Sequence, residues 1–173
     1  MLKPQDMVIL LKLALQHVRP WSYNQLAYEL RMSASEVHKG VGRLDHARLF
    51  NKQTKRPHRR ACEEFLVHGV KYAFAPDIGP VTRGVPTGFA APVLSHPLSP
   101  ESAEMEAYVW PHPEGLVRGA ALTPLFPAAV EAAKHDEALY AALALLDAMR
   151  IGRARERSLA EKMLLETLRR AAE

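Results

Sequence analysis

The stretch Leu26-Ala27-Tyr28-Glu29-Leu30-Arg31-Met32-Ser33-Ala34-Ser35-Glu36-Val37 reads as the end of one helix, a tight turn and the start of another. Ser33 is a helix N-cap, and Glu36 stands three residues on, where its carboxylate can return a hydrogen bond to the Ser33 backbone. Upstream, Ser22 and Gln25 repeat the pattern ahead of Leu26, Ala27 and Leu30, so a short second helix precedes the turn. Downstream, Val37, Val41, Leu44 and Leu49 give the third helix its buried stripe. At the start of the chain, Pro4 suits a first helical position. Met7, Leu10, Leu11, Ala14, Leu15 and Val18 then recur at three-to-four spacing, which predicts an amphipathic first helix stopped near Arg19-Pro20. Three helices within about fifty residues, the last two separated by about three, make a helix-turn-helix arrangement.

These residues, with Arg43-Leu44 after them, resemble the helix-turn-helix of bacterial winged-helix transcriptional regulators, MarR-like ones included. The shared pattern is Leu-Ala, a short helix, a turn, Ser, and a recognition helix with Val and Leu on its inner face; it covers roughly residues 5–50. Small Ala27 lets the second and third helices cross closely, and Val37 and Leu44 fill the space between them. One position departs from the pattern. Arg31 stands where such regulators usually have Gly, and a side chain in a left-handed turn costs about 1 kcal/mol.

The resemblance implies double-stranded DNA as partner, with the third helix in the major groove. Its outward residues Ser35, Glu36, His38, Lys39 and Arg43 are then the candidates for base contact. Lys39 and Arg43 can donate to guanine, Glu36 can accept from cytosine, and Gly40 and Gly42 permit close backbone approach. Such regulators gain site length as homodimers with recognition helices about one DNA turn apart.

Charge supports the same division of labour. Residues 1–75 carry 13 Lys+Arg against 6 Asp+Glu, a net +7, whereas residues 76–173 carry 10 against 13, a net −3. A basic half suits a polyanion. Within it Arg48, Lys52, Lys55, Arg56, Arg59 and Arg60 follow the third helix with no acidic residue among them, a density suited to phosphates of the DNA backbone. Cys62, Phe65, Leu66 and Val70 then suggest a short fourth helix, and Lys71-Tyr72-Ala73-Phe74 alternates as a strand. The wing is expected between Gly69 and Leu94, with Arg83 as its minor-groove candidate.

The overall expectation is a mainly α fold with a small β component. Residues 1–75 form a winged helix-turn-helix domain whose wing reaches to about 94. Residues 76–127, holding 10 of the 13 prolines and 5 of the 9 glycines, form an irregular Pro/Gly-rich middle. Residues 128–173 form C-terminal helices. In these, one helix from about Ala128 to Arg150 carries Leu139, Leu143 and Leu146 on one face, and a second carries Leu164 and Leu168. A small winged helix lacks the surface to bury both stripes, so those leucines are the expected interface for a second copy or a protein partner. Trp110-Pro111-His112-Pro113-Glu114-Gly115 reads as a turn with an aromatic anchor.

A second, looser similarity links Arg83-Gly84-Val85-Pro86-Thr87 and Arg150-Ile151-Gly152-Arg153-Ala154-Arg155-Glu156-Arg157 to bacterial helix-turn-helix proteins of two-gene toxin–antitoxin or defence-type operons. It implies that the basic half binds an operator while the acidic half holds an operon-encoded partner.

Other classes find little support. One cysteine, Cys62, excludes an internal disulfide, and the apolar run Val8–Val18 is shorter than the roughly 20 residues of a membrane span. With no signal peptide in view, a cytoplasmic location is expected. The eight histidines, among them His17, His96, His112 and His135, form no metal-binding spacing. Ser95, Ser99 and Ser102 lack a nucleophile elbow, and Glu104 and Glu106 read as a solvated strand edge. Neither enzyme activity, metal nor cofactor is therefore expected. The rivals to a DNA-binding repressor are an antitoxin-like protein-binding module and an RNA-binding winged helix.

Overall fold

The first helix, α1 (Pro4–Leu15), is the axis on which the other helices are hung. The structure, a computed structural model, describes residues 1–16, 19–95 and 107–173. Every residue from Asp6 to Ala14 is buried, so α1 is enclosed on all sides and the amphipathic expectation gives way. Helices α3 (Ala34–His46), α8 (Glu137–Ile151) and α9 (Ala154–Ala171) pack against it.

The two charges buried in α1 fix how its neighbours sit. Asp6, fully buried, accepts two hydrogen bonds from Arg43 of α3, at 2.8 Å from Nε and 2.7 Å from Nη2. Lys12 bridges Glu29 of α2 (Tyr23–Leu30) at 2.8 Å and Asp136 at 2.6 Å. Burial works against the Lys12 ammonium, but Asp136 and Glu29 outweigh it and hold its pKa above the ordinary lysine value. A buried charge left alone costs several kcal/mol, so each ionic link disfavours other dockings of α2, α3 and α8.

The caps around the turn form as the sequence anticipates. Ser22 accepts from the Gln25 amide at 3.1 Å; Ser33 and Glu36 exchange the reciprocal bonds of a capping box. Arg31 is left-handed at φ 56°, closing α2 with its backbone N–H on Ala27 and Tyr28, while its guanidinium lies 5.3 Å from the Tyr28 ring centroid.

Immediately after α3 the chain forms a two-stranded antiparallel hairpin, β1 (Phe50–Asn51) with β2 (Arg56–Pro57). Next come α4 (Arg59–Glu64), a π-helical turn Phe65–Gly69 and α5 (Val70–Ala73). Lys71–Ala73 is thus helical, not a strand. The helix begun at Arg59 continues through the π turn, where a Cβ on Gly69 would collide with the Phe65 ring.

The Pro/Gly-rich middle is more regular than its composition suggests. β3 (Ile78–Thr87) pairs antiparallel with β4 (Tyr108–Pro111) and with β5 (Val117–Leu122), and β4 pairs parallel with β5, so the three strands close on each other. Closure around buried Val109 needs backbones nearly in contact. At Gly84 and Gly119 a Cβ would strike the carbonyls of Trp110 and Ala107, so glycine here enables the sheet instead of interrupting it. Pro80 falls where the β3–β5 register shifts between Ile78 and Val81, a bulge that tolerates proline. A 3-10 turn (Gly88–Ala90) and α6 (Pro92–Ser95) follow β3. Ser99, Ser102, Glu104 and Glu106 lie outside the described residues, as do His17, Val18 and His96.

The long helix expected after Pro127 is two, α7 (Pro127–Lys134) and α8, because Asp136 caps α8 with its carboxylate on the Leu139 amide at 2.9 Å. Leu139, Leu143, Leu146, Leu164 and Leu168 are all buried in the chain's own core, between 0% and 5% exposed. They are therefore no surface for a second copy: α1, buried on every side and mostly apolar, is what they cover. Asp147 ties α8 to the sheet, accepting from Thr87 Oγ1 at 2.8 Å, Trp110 Nε1 at 2.7 Å and Arg150 Nη1 at 2.7 Å. Burial pushes its carboxyl above the ordinary aspartate range, despite the pull of Arg150 and the two neutral donors.

Candidate nucleic-acid interface

The outward side of α3 and the hairpin beside it form one exposed surface. The capping box fixes where α3 starts, and Val37, Val41 and Leu44, all fully buried, fix which side faces in. Ser35, His38 and Lys39 are thereby exposed, with Asp45 and His46 further along. Glu36 is half-buried, and its Oε2 already accepts from the backbone N and the hydroxyl of Ser33, both at 3.1 Å. Its first job is capping.

The two α3 glycines have different reasons to be there. A Cβ on Gly40 would collide with Ile9, so Gly40 is what allows α3 to lie on α1. Gly42 has nothing within 4 Å of its would-be Cβ. A helical glycine costs about 0.5–1 kcal/mol relative to alanine, and the fold draws no packing benefit from this one. What it leaves is bare backbone on the outward side of α3.

Arg43, expected among the base contacts, is turned inward. Asp6 takes its Nε and one terminal nitrogen, and that hydrogen bond first of all holds the guanidinium pKa above its ordinary value. The sequence pattern does not show this, because Arg43 and Asp6 lie 37 residues apart.

The hairpin carries the cations. Leu49 and Phe50, 5% and 1% exposed, root it in the core. The Asn51 side-chain oxygen accepts from the Gln53 and Thr54 amides, both at 2.9 Å, and shapes the turn, while Asp45 Oδ1 accepts from the Lys52 amide at 2.9 Å. Arg48 and Lys55 are left-handed, at φ 58° and 55°. Lys55 is held against Trp21, with its ammonium 5.5 Å from the ring centroid and its carbonyl accepting from Trp21 Nε1 at 3.5 Å. Trp21 packs on Phe50 and edge-on to Tyr23, and Tyr23 packs on His38. Burial, with the Asp45 carboxylate nearby, pushes the Tyr23 hydroxyl pKa up.

An aromatic row thus couples the hairpin to α3, with His38 at its end. The row was missed in the sequence, although Trp21 and Tyr23 flanking the Ser22 cap were a usable sign. The hairpin's position was missed too: Asn51 four residues ahead of Lys55, between Phe50 and Pro57, is the turn signal that gives it away.

Among the described residues, Arg48, Lys52, Lys55, Arg56 and Arg60 are exposed and make no ion pair. Arg59 is paired with Glu63 at 3.3 Å, and Glu63 also takes Arg169 of α9 at 3.1 Å. Arg83 is not part of this surface. It lies in β3, whose chief packing partner outside the sheet is α8, and its cross-strand neighbour is Arg118.

Cys62 offers no nucleophile. It is buried, donates to the Leu49 carbonyl at 3.0 Å, and burial pushes its thiol up to about 12. No helix among the described residues is long and apolar enough to cross a membrane. In comparisons with protein-family models, curated proteins and solved structures, nothing matches this chain.

Proposed function

We propose that this chain is a sequence-selective DNA-binding transcriptional regulator that represses by occupying its operator. The outward side of α3 enters the major groove, the hairpin Phe50–Pro57 acts as the wing, and its cations bind backbone phosphates. Base reading falls to Ser35, His38 and Lys39 around the bare backbone of Gly42. Arg43 supports that helix from behind through Asp6. The observation that carries the reading is this one surface, where a helix with an unfilled glycine adjoins Arg48, Lys52, Lys55 and Arg56, cations that make no ion pair among the described residues.

A homodimer would double the site length, but the C-terminal leucines do not supply its interface. The unit proposed is accordingly one chain on one half-site. A titration of duplex DNA from the gene's own upstream region tests it, against a scrambled duplex and a structured RNA, over a salt series. Selective duplex binding is expected, and Lys55→Gln with Arg56→Gln should reduce the log–log salt slope by about 1.8 for two phosphates lost. Equal binding of all three nucleic acids, or a slope that the double substitution leaves unchanged, would remove the proposal.

A further inference from the structure

Between the bulged helix Arg59–Ala73 and the start of α9 lies a groove of about 400 Å³. Its floor is apolar, formed by Val67 and Met149, and its walls are polar, with Lys71 and Tyr72 from α5 facing Arg157, Ser158 and Glu161 from α9. Its exposed lining is more polar than apolar, which suits a charged small molecule and not a lipophilic one.

Three features point to an anionic occupant with a flat body. Lys71 and Arg157 line the groove, yet neither reaches ion-pair distance of any carboxylate among the described residues, Glu161 included; two cations therefore face one acid. Tyr72, at the same groove, is 79% exposed, with the Lys71 ammonium 5.1 Å from its ring centroid. Val67 belongs to the π turn Phe65–Gly69, an irregularity that recurs at functional sites, and the turn sets the facing of the Lys71 and Tyr72 that follow it.

We infer that this groove binds a phosphate ester of nucleotide size. The phosphate lies between Lys71 and Arg157 with the Ser158 hydroxyl as a further donor, and the planar base lies against Tyr72 over Val67 and Met149. A free mononucleotide and the phosphorylated end of a nucleic-acid strand offer this same chemistry. None of these residues belongs to the α3–hairpin surface, so the inference stands or falls apart from the DNA reading.

The test is a titration of the full chain, labelled with 15N, followed by amide shifts. The probes are AMP, adenosine, inorganic phosphate, and a short oligonucleotide with and without a 5′-phosphate. AMP should give saturable shifts at residues 67–72, 149 and 154–161, adenosine should bind far more weakly, and the oligonucleotide should shift these residues only when phosphorylated if strand ends are the source. Lys71→Ala and Arg157→Ala should each weaken AMP roughly tenfold through loss of a charge-assisted contact. Tyr72→Ala should weaken AMP while leaving inorganic phosphate unchanged. Tyr72 and Arg157 are exposed and Lys71 is half-buried, so all three variants should melt with the wild type. No saturable shift from either AMP or the phosphorylated strand, shifts confined to α3 and the hairpin, equal binding of adenosine, or indifference to both cation substitutions would overturn the inference.

Discussion

The hairpin after α3 and the α8–α9 pair each display a pattern that looks like an invitation to a partner, and the fold treats them oppositely. The leucine stripe of α8 and α9 finds its partner inside the chain, because α1 is mostly apolar and buried on every side. The cations of the hairpin, Lys52, Lys55 and Arg56, with Arg48 beside it, do not: the sequence from residue 46 to residue 62 holds no acid, and among the described residues no carboxylate comes within ion-pair distance of these four. An apolar stripe tells how much must be buried, not by whom. A charge run keeps its meaning only once the carboxylates around it have been located.

That contrast can be broken first at the leucines. Leu146→Ala should destabilise the chain by about 3 kcal/mol by opening a cavity in the core, with a urea midpoint independent of protein concentration. A midpoint that rises with concentration would return the stripe to an interface.

Next is the inward arginine. Arg43→Ala leaves a fully buried carboxylate without its cation and should cost about 3 kcal/mol in urea unfolding, whereas replacing both partners by apolar residues (Asp6→Leu with Arg43→Met) should recover part of the loss, less the α1 cap that Asp6 makes by accepting from the Lys3 amide at 2.8 Å. An Arg43→Ala chain of unchanged stability but relaxed base preference would put Arg43 back among the reading residues.

A smaller effect comes from acid. Burial disfavours the Glu29 carboxylate, but hydrogen bonds from Lys12, Gln16 and Gln25 outweigh it and hold its pKa below the ordinary range. A depressed carboxylate contributes stability above its unfolded pKa and loses that contribution as pH falls through its folded value. Stability should therefore drop on acidification at this junction, and Lys12→Met should shrink the drop. A drop of the same size in Lys12→Met would place the acid sensitivity elsewhere.

Helices α2 and α3 were the most legible part of the chain, because caps and stripes are local: Ser22 with Gln25, Ser33 with Glu36, and Val37, Val41 and Leu44 all act within a few residues. What the sequence hid is non-local. Asp6 reaching Arg43, Lys12 reaching Asp136, and Thr87 and Trp110 reaching Asp147 join positions far apart, and no periodicity announces them. The strands of the middle were hidden for another reason. Gly84, Gly119 and Pro80 read as breakers by composition, yet each stands where three closing strands need a missing side chain or a bulge. In the candidate surface the cations were legible but their frame was not, since the aromatic row from Phe50 through Trp21 and Tyr23 to His38 joins residues that only the folded chain brings together.

The central claim, that the outward side of α3 is shaped to be approached by DNA, is tested most directly at Gly42. Gly42→Ala fills space that nothing in the fold occupies, so stability and binding can be read separately in the same variant. The account predicts a protein more stable by about 0.5–1 kcal/mol that binds its upstream duplex more weakly and less selectively. A variant that gains the stability and binds duplex DNA as before would show that this surface is not the one that meets DNA.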